Sequence, residues 1–396
     1  MSASPSTARA INDRLALRLL QQEGPLTAGR LKELTGLSRP SVADLVDRLI
    51  AAGLIEVVGE SGEQRRGPNA KVYGIVAARA HLAALDVRTE GVAVAVSDLV
   101  GVVLAEASAP IDGGVGTGPA VEQAVALVER AVKEAGVDRP HTVGIGTPGL
   151  IDPATGELRR TTGLPEWHRR LVAALQERLP EARVSVENET NMAALAEQRD
   201  GAAADRDTFV LLWLGMGVGA AVVLDGVLRR GASGGTGEIG FLPVPGTTGL
   251  PSATDCDGGF HSLAGAASIA ELAARHGVTA PERAGEPHAA TLVRTAVQAA
   301  DPAAHAGFLD ILADRLALGA AAVISVLDPG CVVLGGEIGR AGGAELAARV
   351  QDRLVRMSPL PTEVRASTLG GAAVLRGALL TARDRAQEEL FAPPAR

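Results

Sequence analysis

The stretches LAALDVRTEGVAVAVSDLVGVVLA, residues 82–105, and FVLLWLGMGVGAAVVLDG, residues 209–226, carry one pattern twice. Each opens with a run of apolar residues short enough for a buried strand, turns at a glycine, returns as a second apolar run, and turns again at an Asp, Asp98 or Asp225. Short β-branched runs bounded by Gly and Asp favour strands over helices. The two Asp turns lie 127 residues apart. Helical spacing follows each copy, over about 119–136 and 166–179 in the first and about 263–276 and 304–327 in the second. A supersecondary unit repeated at this distance predicts two related α/β lobes with a cleft between them.

Upstream, the chain changes character. It has 396 residues, with 38 Lys+Arg against 46 Asp+Glu, a net charge of −8. Residues 1–80 hold 11 basic and 8 acidic side chains, so they are net +3 and the rest is net −11. A basic terminal unit on an acidic body suits contact with a polyanion. Ile11, Leu15 and Leu19 recur at helical spacing until Gly24-Pro25. A second helix begins after Thr27. A third begins at Ser38, with Pro40 in its first turn and Val42, Leu45, Val46 and Leu49 on one face. Two apolar strands follow, joined by a Gly-rich tip carrying Arg65 and Arg66. This is the pattern of a winged helix-turn-helix. The third helix fits the major groove of duplex DNA, with small Ser41 allowing close approach and Arg39 and Arg48 in reach of bases or phosphates. Arg65 and Arg66 at the tip and Lys71 beside it suit the minor groove or the backbone. A dimer reading two half-sites is expected, because one such unit buries little DNA surface.

No apolar run approaches the roughly 20 residues of a membrane span, and the opening MSASPSTARAINDR lacks a secretory core, which predicts a cytoplasmic protein with no membrane partner. Two cysteines, Cys256 and Cys331, are too few for a disulfide framework or a thiolate-rich metal site, so no metal is expected. In the lobes, VGIGTPG at 143–149 is a strand running into a loop whose peptide groups, near Gly146 and Gly149, can approach a ligand closely. Asn188 and Glu189 collect at the end of another strand, where open α/β sheets bind ligands, and Glu238 lies between glycines.

In this order the elements resemble the ROK family and, through the winged helix, its transcriptional regulators. The resemblance rests on RRGP at 65–68, GIGTPGLID at 144–152, VENETNMAALAE at 186–197, GASGGTGEIG at 231–240 and VLGGEIG at 333–339. It implies a ribonuclease-H-like fold of the actin and hexokinase type, a sugar in the interlobe cleft, and a homodimer or tetramer. The expected α/β organisation is a winged helix over 1–79, a first lobe over 80–200 with a C-terminal helix at 371–389 packing back onto it, and a second lobe over 201–370.

The departures from the family bear on function. Its sugar kinases carry a DxGGT-like phosphate loop, whereas this chain reads Asp86-Val87-Arg88-Thr89-Glu90-Gly91. Met216 replaces the hydroxyl residue of the second loop and cannot donate a hydrogen bond to phosphate. Glu189 stands where the resemblance puts the Asp that deprotonates the sugar, one methylene out of place. The zinc motif is lost as well. Phe241 replaces its His, Ser252, Thr254 and Gly259 replace its cysteines with Cys256 falling between them, and His261 replaces its terminal Glu. The expectation is therefore a DNA-binding regulator, a repressor by family resemblance, without catalytic residues or cofactor. A carbohydrate effector would bind at Gly146, Gly149, Asn188, Glu189, Glu238 and His261. The alternatives are an ATP-dependent sugar kinase, and a regulator whose cleft is empty and whose control comes from a protein partner.

Overall fold

The structure is a computed structural model and describes residues 5–392 apart from 62–68, 160–163, 248, 253–257, 284 and 302. The N-terminal module runs α1 (Pro5–Glu23), β1 (Leu26–Thr27), α2 (Ala28–Thr35), α3 (Arg39–Ala51), β2 (Ile55–Ser61) and β3 (Ala70–Ile75). Local chemistry sets its boundaries. Thr27 accepts the Arg30 N–H at the start of α2, Gly36 ends that helix at a φ of 70°, and Ser38 accepts the Ser41 N–H to start α3. Val42, Leu45, Val46 and Leu49 are buried as their spacing predicts. The face of α1 is different: Ala16, Leu17 and Leu20 are buried, while Ile11 and Leu15 are largely exposed. The three-helix core takes a stripe one residue away from the one that Ile11, Leu15 and Leu19 suggest.

The first lobe comprises β4 (His81–Arg88), β5 (Gly91–Asp98), β6 (Val103–Pro110), α4 (Thr117–Glu134), β7 (Thr142–Thr147), α5 (Glu166–Arg178), β8 (Arg183–Asn188) and α6 (Glu189–Asp200). The second contains β9 (Phe209–Leu214), β10 (Val218–Leu224), β11 (Val227–Arg229), α7 (His261–Ala264), α8 (Ala266–Arg275), α9 (His288–Val297) and α10 (Ala306–Leu327). It continues through β12 (Cys331–Gly335), α11 (Gly336–Met357) and β13 (Glu363–Ala366), and the chain ends in α12 (Ala373–Leu390). The two sheets have one topology, β6-β5-β4-β7-β8 and β11-β10-β9-β12-β13, with three antiparallel strands followed by two parallel ones. The repeat in the sequence is thus a repeat of whole sheets. The Asp turns are built differently in each copy. Asp98 Oδ1 accepts the N–H groups of Val100, Gly101 and Val102, whereas Asp225 and Gly226 both take positive φ in a two-residue hairpin.

Each sheet buries its outer face under its own helices, α4 and α5 on the first and α8 to α11 on the second. The inner faces close over α6 and α12. Helix α12 lies against β4, β7 and α6, so the last helix of the chain completes the first lobe. Two glycines allow this close seating. A Cβ on Gly146 would lie 2.6 Å from Val374 Cγ1, and one on Gly377 would lie 1.9 Å from the Met192 carbonyl oxygen. The same hydrophobic cluster continues through Leu99 and Ala80 into the winged-helix core at Ile75 and Leu17. Polar links reinforce the joint, with Leu99 N–H donating to Ala77 O and Gln387 Nε2 to Leu99 O, each at 3.0 Å.

Replacing Gly377 with Val should cost at least the 1–3 kcal/mol typical of overpacking, read as a fall of several degrees in melting temperature. A Gly118→Ala control, where a Cβ meets nothing within 4 Å in the first turn of α4, should leave it unchanged or raise it slightly.

Candidate functional site: the interlobe cleft and the winged helix

A cleft of about 640 Å³ opens between the lobes. The first lobe contributes the loop after β7, with Pro148, Gly149 and Leu150, and the N-terminus of α6, with Asn188 to Asn191. The second contributes Trp213 at the end of β9, the start of β10, the 234–241 segment and His261 at the start of α7. Strand ends from two sheets therefore converge on one cavity, the position at which open α/β sheets bind ligands.

Asn188 is the N-cap of α6. Its Oδ1 accepts from the N–H groups of Thr190 and Asn191, and its Nδ2 donates to Gly149 O at 3.1 Å and to Glu189 Oε2 at 2.7 Å. One side chain thus fixes the helix start, the β7 loop and the neighbouring carboxylate. Burial, with repulsion from Glu238, Asp86 and Glu337 added, pushes Glu189 up to about 8. Burial also raises Glu238. His261 packs near Gly240 and Gly217 across the cavity. Gly149, Asn188, Glu189, Glu238 and His261 thus share one cleft. Gly146 does not line it: this residue is buried within β7, and its missing side chain makes room for α12, so its role is packing. Thr254 and Cys256 lie outside the described residues.

Trp213, which sequence reasoning did not single out, forms part of the wall. Among the described residues two ion pairs join the lobes. Arg230 donates to buried Glu187 at 2.5 Å, and Glu187 also accepts from Asn191 Nδ2 at 2.9 Å. Arg88 donates from Nε and Nη2 to Asp86 at 2.9 and 2.8 Å, and from Nη1 to Glu337 Oε1 at 2.7 Å. The substituted loop at 86–91 is therefore a clasp between β4 and the first turn of α11.

In the winged helix Arg39 is exposed at the start of α3 and has no ion pair among the described residues. Ser41 is exposed beside it, and its hydroxyl shares a 2.9 Å hydrogen bond with Ser38. Lys71 is exposed on β3 opposite Glu60. Arg65 and Arg66 lie outside the described residues. Arg48 differs from expectation: it pairs with Asp13 of α1 at 2.6 Å and with Asp44, so its guanidinium ties α1 to α3 and is not held out toward a groove.

A winged helix fused to two lobes of identical sheet topology, with a cleft at their strand ends, defines a DNA-binding transcriptional regulator built on a sugar-kinase-like body. The chain belongs to the ROK family, which it matches over residues 83–385, and residues 11–67 match the MarR family. It is 24% identical over 337 residues to the xylose repressor of Caldicellulosiruptor bescii, covering 83% of each chain. It is 30% identical over 263 residues to a glucokinase of Thermotoga maritima, covering 63% of this chain and 81% of that one. The structure of a ROK family transcriptional regulator, a homologue of the E. coli MLC protein, superposes with a TM-score of 0.75 over 97% of this chain and 98% of that one, at 22% identity.

The raised Glu189 gives a signed pH effect. Its unfolded value is near 4.5 and its folded value about 8, so between these the native state holds a proton that the unfolded state has released. Stability attributable to this group falls as pH rises through that window. Glu189→Gln, which keeps the shape and removes the charge, should melt at a similar temperature to wild type at pH 5 and several degrees higher at pH 9.

Proposed function

We propose that this protein is a repressor whose operator affinity is set by a sugar bound in the interlobe cleft. The observation that carries the reading is the contrast between the cleft and the substituted loop. Groups able to bind hydroxyls, Asn188, Glu189, Glu238 and the Gly149 loop, line the cleft, while in the loop at 86–91 Arg88 is held in an ion pair with Glu337. Carboxylates accept strong hydrogen bonds from sugar hydroxyls without any need for catalysis. Phosphoryl transfer needs a cradle for the nucleotide phosphates, and neither substituted loop supplies one. The reading is accordingly of a regulator that does not phosphorylate its ligand and uses no cofactor. The names of the relatives, a xylose repressor and a glucokinase, support a monosaccharide or a close derivative as ligand.

The coupling is a linkage. A sugar that prefers one interlobe geometry shifts the population toward it, and winged helices joined to the lobes by a continuous core then change their spacing on DNA. In this reading Arg39 and Ser41 face the major groove, and Lys71, with Arg65 and Arg66, meets the backbone or minor groove. Arg48 acts by bracing α3 against α1. Two half-sites call for a homodimer or a tetramer of it. Among the described residues no helix is long and apolar enough to cross a membrane, in keeping with a protein that works on DNA in the cytoplasm.

The test is a mobility-shift titration on the DNA flanking the protein's own gene, with and without a panel of sugars. Retention of a specific fragment, weakened by at least one sugar, is expected. Arg39→Ala should weaken specific binding by about 1–3 kcal/mol if it reads a base, or lower the salt slope by about one if it meets a phosphate. No retention at low salt, or sugar-dependent ADP formation from Mg-ATP at kinase rates, would overturn the proposal.

A further inference from the structure

Behind the cleft, two carboxylates, Asp86 and Glu337, meet on Arg88. Glu337, in the first turn of α11, places one carboxylate oxygen against Arg88. Its other oxygen, Oε2, stands 2.9 Å from where a side chain on Gly215 would begin, so the acid presses on the glycine loop that follows β9. Trp213 Nε1 is equally close to that point, and Trp213 lines the cleft. The acid is therefore directly behind the cleft wall.

The cation of the clasp has four of its five N–H donors engaged. Arg88 Nε donates to Asp86, Nη2 to both Asp86 and the Gly371 carbonyl at 3.1 Å, and Nη1 to Glu337. A guanidinium with these bonds has at most one N–H left for another anion. Among the described residues lining the cleft, the ionisable groups are Glu189, Glu238 and His261, with no Lys or Arg. A sugar ring meets hydrogen-bonding groups there, whereas a phosphate monoester brings close to two negative charges at neutral pH into a partly buried space with no Lys or Arg among its described lining residues.

On the reading that the cleft binds a sugar, we infer that it selects the unphosphorylated sugar and rejects its phosphate ester, with Glu337 in the Asp86–Arg88–Glu337 clasp as the specificity-determining residue. Glu337 takes up the free face of Gly215, the first glycine of the loop after β9. It also sets the class of reaction around the ligand: the effector is a sugar before its phosphorylation, so a phosphoryl-transfer step on that sugar would withdraw it from the regulator.

The test is calorimetry on the full-length protein at pH 7.5 and low salt, with xylose and xylose 5-phosphate, glucose and glucose 6-phosphate, and N-acetylglucosamine and its 6-phosphate. At least one free sugar should bind, with its ester at least 50-fold weaker. Glu337→Gln, which removes the charge and keeps the shape, should narrow that gap at least fivefold while changing the free sugar's affinity by less than threefold. Raising the salt should narrow the wild-type gap as well, which a purely steric block would not allow. An ester that binds as tightly as its parent sugar overturns this inference and leaves the sugar-effector reading standing. A gap unchanged in the Gln variant overturns the role of Glu337. Absence of binding by every probe, free or esterified, overturns the effector reading and this inference with it.

Discussion

The seating of α12 between the two sheets is the contact on which the rest of the molecule depends. This helix comes from the end of the chain, after the second lobe is finished, yet it packs on β4 and β7 of the first. It can approach so closely only because Gly146 and Gly377 present bare backbone where a methyl group would overlap Val374 or Met192. Met192 belongs to α6, whose first residues Asn188 and Glu189 bear on the cleft. The packing that holds the first lobe together therefore also fixes the height and angle of the ligand-facing helix. Interiors packed this densely do not deform continuously, so a change at the cleft moves whole elements.

Three polar ties work alongside this core. Glu197, buried at the far end of α6, accepts from Ser367 Oγ at 2.5 Å and from the Leu369 N–H at 3.2 Å, so it pins the segment through which the chain returns to the first lobe. Arg230 with Glu187 joins the two lobes at one point, and Arg88 with Glu337 joins them at another. Each tie joins parts far apart in sequence. A partly buried ion pair of this kind brings little net stability, because desolvation offsets most of the attraction, but breaking one partner leaves a stranded charge. Such pairs fix geometry more than they add strength.

Much of this was legible in residue patterns. The strand-turn-strand repeat around Asp98 and Asp225 reports the duplicated sheets, and Thr27, Ser38 and Gly36 mark the helix-turn-helix boundaries through their capping chemistry. Asn188, Glu189, Glu238 and His261 were found from strand-end position and family resemblance, and they share a cavity. Other elements gave no local signal. Helix α9 was not marked, and α11 begins in GGEIGRAGG, where glycine density reads as loop and Gly343 kinks the helix at a φ of 53°. Strand β13 is four residues long and has no pattern of its own. Trp213 looked like one more apolar residue in a strand, since nothing local tells which end of a strand opens on a cavity.

By itself, then, the sequence determined the class of the molecule: a basic winged helix and two copies of one α/β unit, with loops at 86–91 and 215–219 that depart from the sugar-kinase pattern. These features are local, written in periodicity, caps and the presence or absence of a donor. Only the tertiary structure decided which face of α1 is buried, that Arg48 braces a helix, that Gly146 makes room for α12, and that Arg88 and Glu337 meet across 249 positions of chain. The reason is physical. A side chain's role depends on what lies within a few ångströms of it, and partners brought together by folding leave no mark on the residues next to them in sequence.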